Sequence, residues 1–166
     1  MSRKRQEPTS VPAPAAIYMA MRNQILALVP AEAGILPSAG LPHVWGVLAE
    51  MGFPNGSVTL VSLADGTTSL YFSGGGGIIG CGGHAAVAAA SRVLVEEAER
   101  HLGATVPTVS CPLPTAGRLR FYLLTYEGKR TAEAGQEELA AGRHSLADLF
   151  RRSDDVVAQV RLHSPP

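Results

Sequence analysis

Cysteine, net charge and long apolar runs are all in short supply in this chain, and each shortage removes a class of protein. The only cysteines are Cys81 and Cys111, and two thiols do not make the disulfide framework of a small secreted domain. Fourteen basic residues balance fourteen acidic ones. A nucleic-acid binder needs surplus cations to displace phosphate counterions, so no nucleic-acid partner is expected. No stretch approaches the roughly 20 apolar residues that cross a bilayer, so no membrane partner is expected. The first residues carry Arg3, Lys4 and Arg5 without an apolar stretch after them, which does not read as a secretory leader. A cytoplasmic location is the expectation. Charged residues are only 17% of the chain against 46% apolar. That balance is globular, and it leaves little material for a fully solvated surface, so part of the surface is expected to meet a protein partner or a second copy of the chain.

A chain of 166 residues suits one domain, which buries roughly 70% of the surface that its unfolded form exposes. Residues 1–14, basic and broken by Pro8, Pro12 and Pro14, read as a disordered tail, and 15–163 as a single α/β domain. Over 15–29, Tyr18, Met21, Ile25 and Leu28 recur at helical spacing, and Pro30 stops the pattern. A second, short helix is expected over 43–51, with Val44, Val47 and Leu48 inward, Gly52 as its stop and Pro54 barring continuation.

The clearest local signal is a hairpin. Ser57 to Leu63 and Thr68 to Ser73 are β-rich runs joined through Asp65-Gly66, where glycine accepts the positive φ of the turn. A second hairpin joins Arg118–Tyr126 to Lys129–Ala134 through Glu127-Gly128. Its first arm alternates polar and apolar residues, which predicts an antiparallel sheet with one wet face. Between the hairpins lies a long helix to about Leu102, with Ala86, Ala90, Val93, Leu94 and Ala98 inward and Glu96, Glu97, Glu99 and Arg100 mainly outward. After a capping-box-like Ser145-Leu146-Ala147-Asp148, two short helices, or one broken at Ser153, bring Leu146, Leu149, Phe150, Val156, Val157 and Val160 onto the sheet. Asp154 and Asp155 suit a helix start.

The most unusual segment runs from Ser73 through four glycines, Ile78, Ile79, Gly80, Cys81, Gly82 and Gly83 to His84. Its Gly75-x-Gly77-x-x-Gly80 spacing matches the dinucleotide fingerprint. That fingerprint needs a buried parallel strand before it and an acid at the end of a second strand, whereas here a hairpin arm precedes and the acids fall within a helix. No Lys-Ser or Lys-Thr follows, which excludes the phosphate loop. Two readings remain: a tight strand-to-helix crossing, with a short strand around Ile78 and Ile79, or an anion held by the amides of Gly80, Cys81, Gly82, Gly83 and His84. Cys81 before a helix, with His84 three residues on, has the outline of a nucleophile and its base. No third orienting group is identifiable, and Ile79 breaks the nucleophile-elbow pattern. Cys81-x-x-His84 is also half of a zinc site, but Cys111, His43 and His144 lack the spacing of a second half. No metal, cofactor or catalytic residue is therefore assigned. The hydroxyls of Thr59, Ser62, Thr67, Thr68, Ser69 and Ser73 read as a wet strand face.

From Pro42 the elements run helix, hairpin, long helix, hairpin, helix. This order resembles the roadblock/LC7 group and, more broadly, profilin-like and longin-like domains. The resemblance spans Pro42 to His163 and rests on architecture, so no residue roles transfer with it. It implies an α+β fold, an antiparallel sheet of two hairpins flanked by helices, and a non-enzymatic module that dimerises and serves small GTPases or scaffolds. The functional expectation is thus a protein-interaction or scaffold module, homodimeric. A sensor of a small anionic ligand at the glycine-rich loop is the alternative, and a Cys81-dependent enzyme the second alternative.

Overall fold

The run from Val44 to Ala49 is apolar without alternation, a pattern that fits a strand covered on both faces as well as a buried helix. In the computed structural model, which describes residues 11–165, it is a strand, β1 (Val44–Phe53), and not the helix expected over 43–51. Gly52 is correspondingly no helix stop. It lies within β1, where a Cβ would overlap the backbone of Pro114 and Thr115. Residues 1–10, with Arg3, Lys4, Arg5 and most of the expected tail, lie outside the described residues.

Pro54 and Asn55 turn the chain into β2 (Gly56–Leu63), which pairs antiparallel with β1 from Phe53↔Gly56 to Gly46↔Leu63. The Asp65-Gly66 turn then returns β3 (Thr68–Phe72), as its turn residues predict, with Gly66 at φ +89°. A two-residue β4 (Gly77–Ile78) pairs with β3, close to the short strand expected at Ile78 and Ile79. Beyond the long helix, β5 (Val106–Thr108), β6 (Arg118–Thr125) and β7 (Gly128–Gly135) complete a seven-stranded sheet of order β4-β3-β2-β1-β6-β7-β5. Every pairing is antiparallel. With four α-helices the fold is α+β, and the sheet is larger than two hairpins because β1 sits at its centre.

The helices lie on both faces. α2 (Ala85–Arg100) and α4 (Ala147–His163) share one core with Val47, Ala49, Leu60, Leu70, Leu119, Phe121 and Leu123. α4 runs unbroken through Ser153, whose hydroxyl donates to the Leu149 carbonyl (3.0 Å), so Asp154 and Asp155 lie mid-helix and not at a helix start. The polar stretch before it forms a short α3 (Gln136–Ala140). On the opposite face α1 (Ala16–Leu26), four residues shorter than expected, packs with the following 27–42 segment against Trp45, Leu48, Val61, Leu63, Tyr71, Tyr122 and Leu124.

This second core is crossed by one row of polar side chains. In register across the sheet stand Glu133, Arg120, Glu50, Thr59 and Tyr71, on β7, β6, β1, β2 and β3. Glu50 is fully buried, and α1 supplies its counter-charge: Arg22 Nε and Nη2 donate to the two carboxylate oxygens at 2.7 Å each. Nη2 also donates to the Cys111 carbonyl (2.7 Å), and the guanidinium lies 5.7 Å from the Tyr122 ring centre. Thr59 Oγ1 donates to Glu50 (2.6 Å). Its only hydrogen is then used, so Tyr18 donates to Thr59 (2.7 Å) and Ser57 to Tyr18 (3.2 Å).

The strand hydroxyls are therefore not a wet face. Thr59, Ser62, Thr68, Ser69 and Ser73 are all buried, because both faces of β1, β2 and β3 are covered, and of the six only Thr67, in the β2–β3 turn, is exposed. The wet part of the second face is confined to β6 and β7, where Arg118 and Arg120 pair with a partly exposed Glu133.

Removing one member of a buried ion pair strands the other charge in the core, at a cost of about 3–5 kcal/mol, whereas replacing both by apolar residues is often close to neutral. Arg22→Leu is expected to lower unfolding stability by that amount in urea titration, and Arg22→Leu/Glu50→Leu to recover most of it. A single variant as stable as the parent would show that the pair does not hold α1 to the sheet.

Candidate functional site

The glycine-rich loop joins the sheet margin to α2. After β3 the chain turns at residues 73–76, with Gly75 and Gly76 at φ +105° and +81°, and Gly80 at +70° starts a 3-10 turn over Cys81–Gly83. The amides of Gly83 and His84 are used inside that turn, donating to the carbonyls of Gly80 and Cys81. Gly80 N–H points to Ser69 Oγ at 3.4 Å. At Gly82 a Cβ would overlap the Gly66 carbonyl oxygen and crowd Thr68 N, so the loop crosses the β2–β3 turn backbone against backbone. Gly83 meets nothing within reach. This geometry supports a steric role for the glycines.

Cys81 is buried among core residues, and its thiol donates to the Thr68 carbonyl at 3.1 Å. Burial pushes the thiol up from its ordinary value, the opposite of what a dipole-activated nucleophile requires. His84 is exposed, and its ring stacks at 4.8 Å on that of His163 at the end of α4. Cys111 sits on the other face of the sheet, so the two cysteines are separated by it. Burial raises the Cys111 thiol as well, partly opposed by Lys129.

The inner face of α2 differs from expectation by one residue row. Val87, Ala88, Ser91, Leu94, Val95 and Ala98 are buried, while Ala86 and Val93, expected inside, are exposed. The row that packs contains a serine and an acid, which apolar periodicity passes over. Ser91 Oγ meets Ser62 Oγ (2.9 Å) and Thr68 Oγ1, a hydroxyl cluster sealed between helix and sheet. Glu97, expected mainly outside, is buried beside Arg100 and His101. The outward face that results is uncharged over the first two turns: Ala85, Ala86 and Ala89 are exposed, followed by Val93 at 37%. Ile79 at the foot of the helix is 67% exposed and Leu162, next to His163, 73%.

At the opposite end of α2, Glu99 reaches the start of β1. Its carboxylate accepts from His43 N–H (3.2 Å), Val44 N–H (2.7 Å) and His43 Nδ1 (2.6 Å). These partners are 55 and 56 residues apart, with no shared local pattern, so sequence reasoning did not pair them. Comparison with protein-family models, curated proteins and solved structures finds no match to this chain. Among the described residues no helix is long and apolar enough to cross a membrane.

Two measurements follow from the loop. Gly82→Ala is expected to destabilise by about 1–3 kcal/mol through overlap with rigid backbone, and Gly83→Ala to stay within about 0.5 kcal/mol; equal thermal shifts for the two would remove the crossing argument. Because both thiols are raised, alkylation of the native protein at neutral pH should be slower than for a free thiol, and the rate should keep climbing past the ordinary thiol range. Cys111, half-buried, should react before Cys81. Mass spectrometry of partially labelled protein reads the order directly.

Proposed function

We propose that this chain is a non-enzymatic protein-interaction module that pairs with a second copy of itself through the outward face of α2. The observation that carries the reading is the cluster of exposed small apolar residues over the first two turns of that helix, Ala85, Ala86 and Ala89, before the first exposed charge at Arg92. An outward helix face in solvent ordinarily carries charged or polar side chains. Ile79, just ahead of α2, and Leu162, near the end of α4, are further exposed apolar side chains.

A two-fold interface suits such a surface because each residue meets the same patch on its partner. Alanine side chains also let two helices approach at the short end of the 8–10 Å range. A 16-residue helix is about 24 Å long, enough to form the spine of an interface of about 800 Å² per partner. The roadblock/LC7-like reading belongs to this proposal. In its favour stand the hairpin, long helix, hairpin and helix in that order; the element ahead of the first hairpin is a strand and not the helix on which the resemblance was built. Support for an anion sensor or a Cys81 enzyme at the glycine-rich loop is weaker, since amides of Gly83 and His84 are internally bonded and the thiol faces inward.

Sedimentation velocity at about 100 μM, a concentration that populates micromolar dimers, is expected to give a dimer. Ala89→Glu should convert it to a monomer with unchanged far-UV circular dichroism and melting temperature. A parent protein that is monomeric throughout, or a variant that dimerises as before, would overturn the proposal.

A further inference from the structure

The zero net charge of the chain conceals a division between the two faces of the sheet. On one side α2 and α4 hold three acids each and α3 two, against two bases on α2 and three on α4. The other side is built differently. Residues 11–42, which form α1 and the connection laid over the second core, contain only two charged residues, Arg22 and Glu32. Arg22 is buried on Glu50, so Glu32 is the single exposed charge of this layer. Ile17, Val29 and Leu36 on it are 57%, 48% and 69% exposed. At its margin Val11, Pro12, Phe53, Leu113 and Pro114 line a groove of about 350 Å³, and no residue lining that groove is charged.

Bases border this apolar area. On the part of the same face that α1 leaves open, Arg118 and Arg120 of β6 share Glu133 of β7. Lys129 stands in register with Leu124, a member of the second core, so by strand alternation it projects on this face too. It makes no ion pair among the described residues. Ahead of Val11 the sequence supplies Arg3, Lys4 and Arg5 against Glu7. Six residues of chain, at most about 20 Å, join Arg5 to Val11. Six bases are thus on this face or tethered to it, against the three acids Glu7, Glu32 and Glu133.

An apolar layer bordered by surplus bases has the two signals of a surface that lies against an anionic bilayer: side chains that enter the acyl boundary and cations that meet the headgroups. We infer that the α1 layer docks on an anionic lipid surface, with Ile17, Val29 and Leu36 in the interface and Lys129 and the bases ahead of Val11 against the headgroups. No helix among the described residues is long and apolar enough to cross a membrane, and a surface that lies on one needs none. The acid surplus of α2, α3 and α4 sets the orientation, because that side is repelled by the same headgroups. A protein partner fits the layer less well. Protein interfaces are dominated by aromatic and arginine anchors, whereas the one aromatic and the one arginine of residues 11–42, Tyr18 and Arg22, are both buried. The surface lies across the sheet from the outward face of α2, so it neither uses nor blocks the pairing proposed above.

The test is co-sedimentation of the full chain with vesicles of phosphatidylcholine alone and of phosphatidylcholine containing about one-third phosphatidylserine. Each net base near an anionic surface strengthens binding about fivefold, so the anionic vesicles are expected to bind at least about tenfold more tightly. Raising the salt to about 1 M, where charges are screened within about 3 Å, should remove that difference. Ile17→Gln/Leu36→Gln should weaken binding to the anionic vesicles at least about tenfold through lost apolar burial, with an unchanged melting temperature because both side chains are exposed. Arg3→Gln/Lys4→Gln/Arg5→Gln should weaken it by a similar factor. Ala89→Glu, on the outward face of α2, should bind vesicles as the parent does, whether or not the pairing through that helix holds. Equal binding to the two vesicles, no binding to anionic vesicles at about millimolar lipid, parent-like binding by both multiple variants, or loss of binding in Ala89→Glu would each overturn the inference. So would loss of self-association in Ile17→Gln/Leu36→Gln, read by sedimentation velocity without lipid, which would give the face to a second copy of the chain.

Discussion

A carboxylate at the centre of a sheet must be neutralised or matched, and the position of Glu50 makes that demand on everything around it. Its side chain projects from the middle strand into a layer otherwise built of tryptophan, leucine, valine and tyrosine. Desolvating such a charge costs several kcal/mol after relaxation, and only close pairing with further hydrogen bonds offsets it. The chain meets the demand with a guanidinium from a helix that ends 18 residues before β1 begins, counting from Leu26 to Val44. One ion pair therefore fixes the placement of α1, the route of the 27–42 connection and, through the Cys111 carbonyl, the path of the segment ahead of β6. α1 has few other specific ties to the sheet, and the donation chain from Ser57 through Tyr18 and Thr59 ends on the same carboxylate.

The two faces of the sheet use polarity differently. Under the first half of α2 the polar groups sealed against the sheet are neutral hydroxyls, Ser62, Thr68 and Ser91, each satisfied by another. Such a cluster specifies how the helix seats on the sheet without placing a charge in the core. Under α1 the buried groups include a charged pair, Arg22 and Glu50, and Glu50 stands in a single polar row across the sheet. The row reaches solvent on β6 and β7, where Glu133 and its two arginines are partly exposed. The sheet thus grades from dry to wet across its width, and the segment that carries Pro112 and Cys111 marks the change, with the Tyr122 hydroxyl bonded to the Pro112 carbonyl.

What could be read from the residues depended on whether a signal was local. The Asp65-Gly66 hairpin, the Glu127-Gly128 hairpin, α1, α2 and the antiparallel character of the sheet were legible, because turn chemistry and periodicity act over a few residues. β1 was not. A strand buried on both faces loses the alternation that announces a strand, and Gly52 and Pro54 are equally at home after a helix or in a hairpin. The row of α2 that packs was misread because Ser91 and Glu97 lie on it, each made tolerable by partners far away in the chain. The steric task of Gly82 was legible in kind, since a crossing was one of the two readings of the loop. The pairing of His43 with Glu99 was beyond reach, because only the completed fold brings the start of β1 to the end of α2.

The margins of the sheet have their own consequence. One ends in a strand of two residues, Gly77 and Ile78, and the other in three residues with Pro107 in the middle, which has no N–H to offer. An incoming strand needs a ladder of alternating donors and acceptors, and neither border supplies one. Stacking of copies through these two terminal strands is correspondingly disfavoured. A protein with so few charged residues is thereby guarded against open-ended strand pairing by how its outermost strands finish.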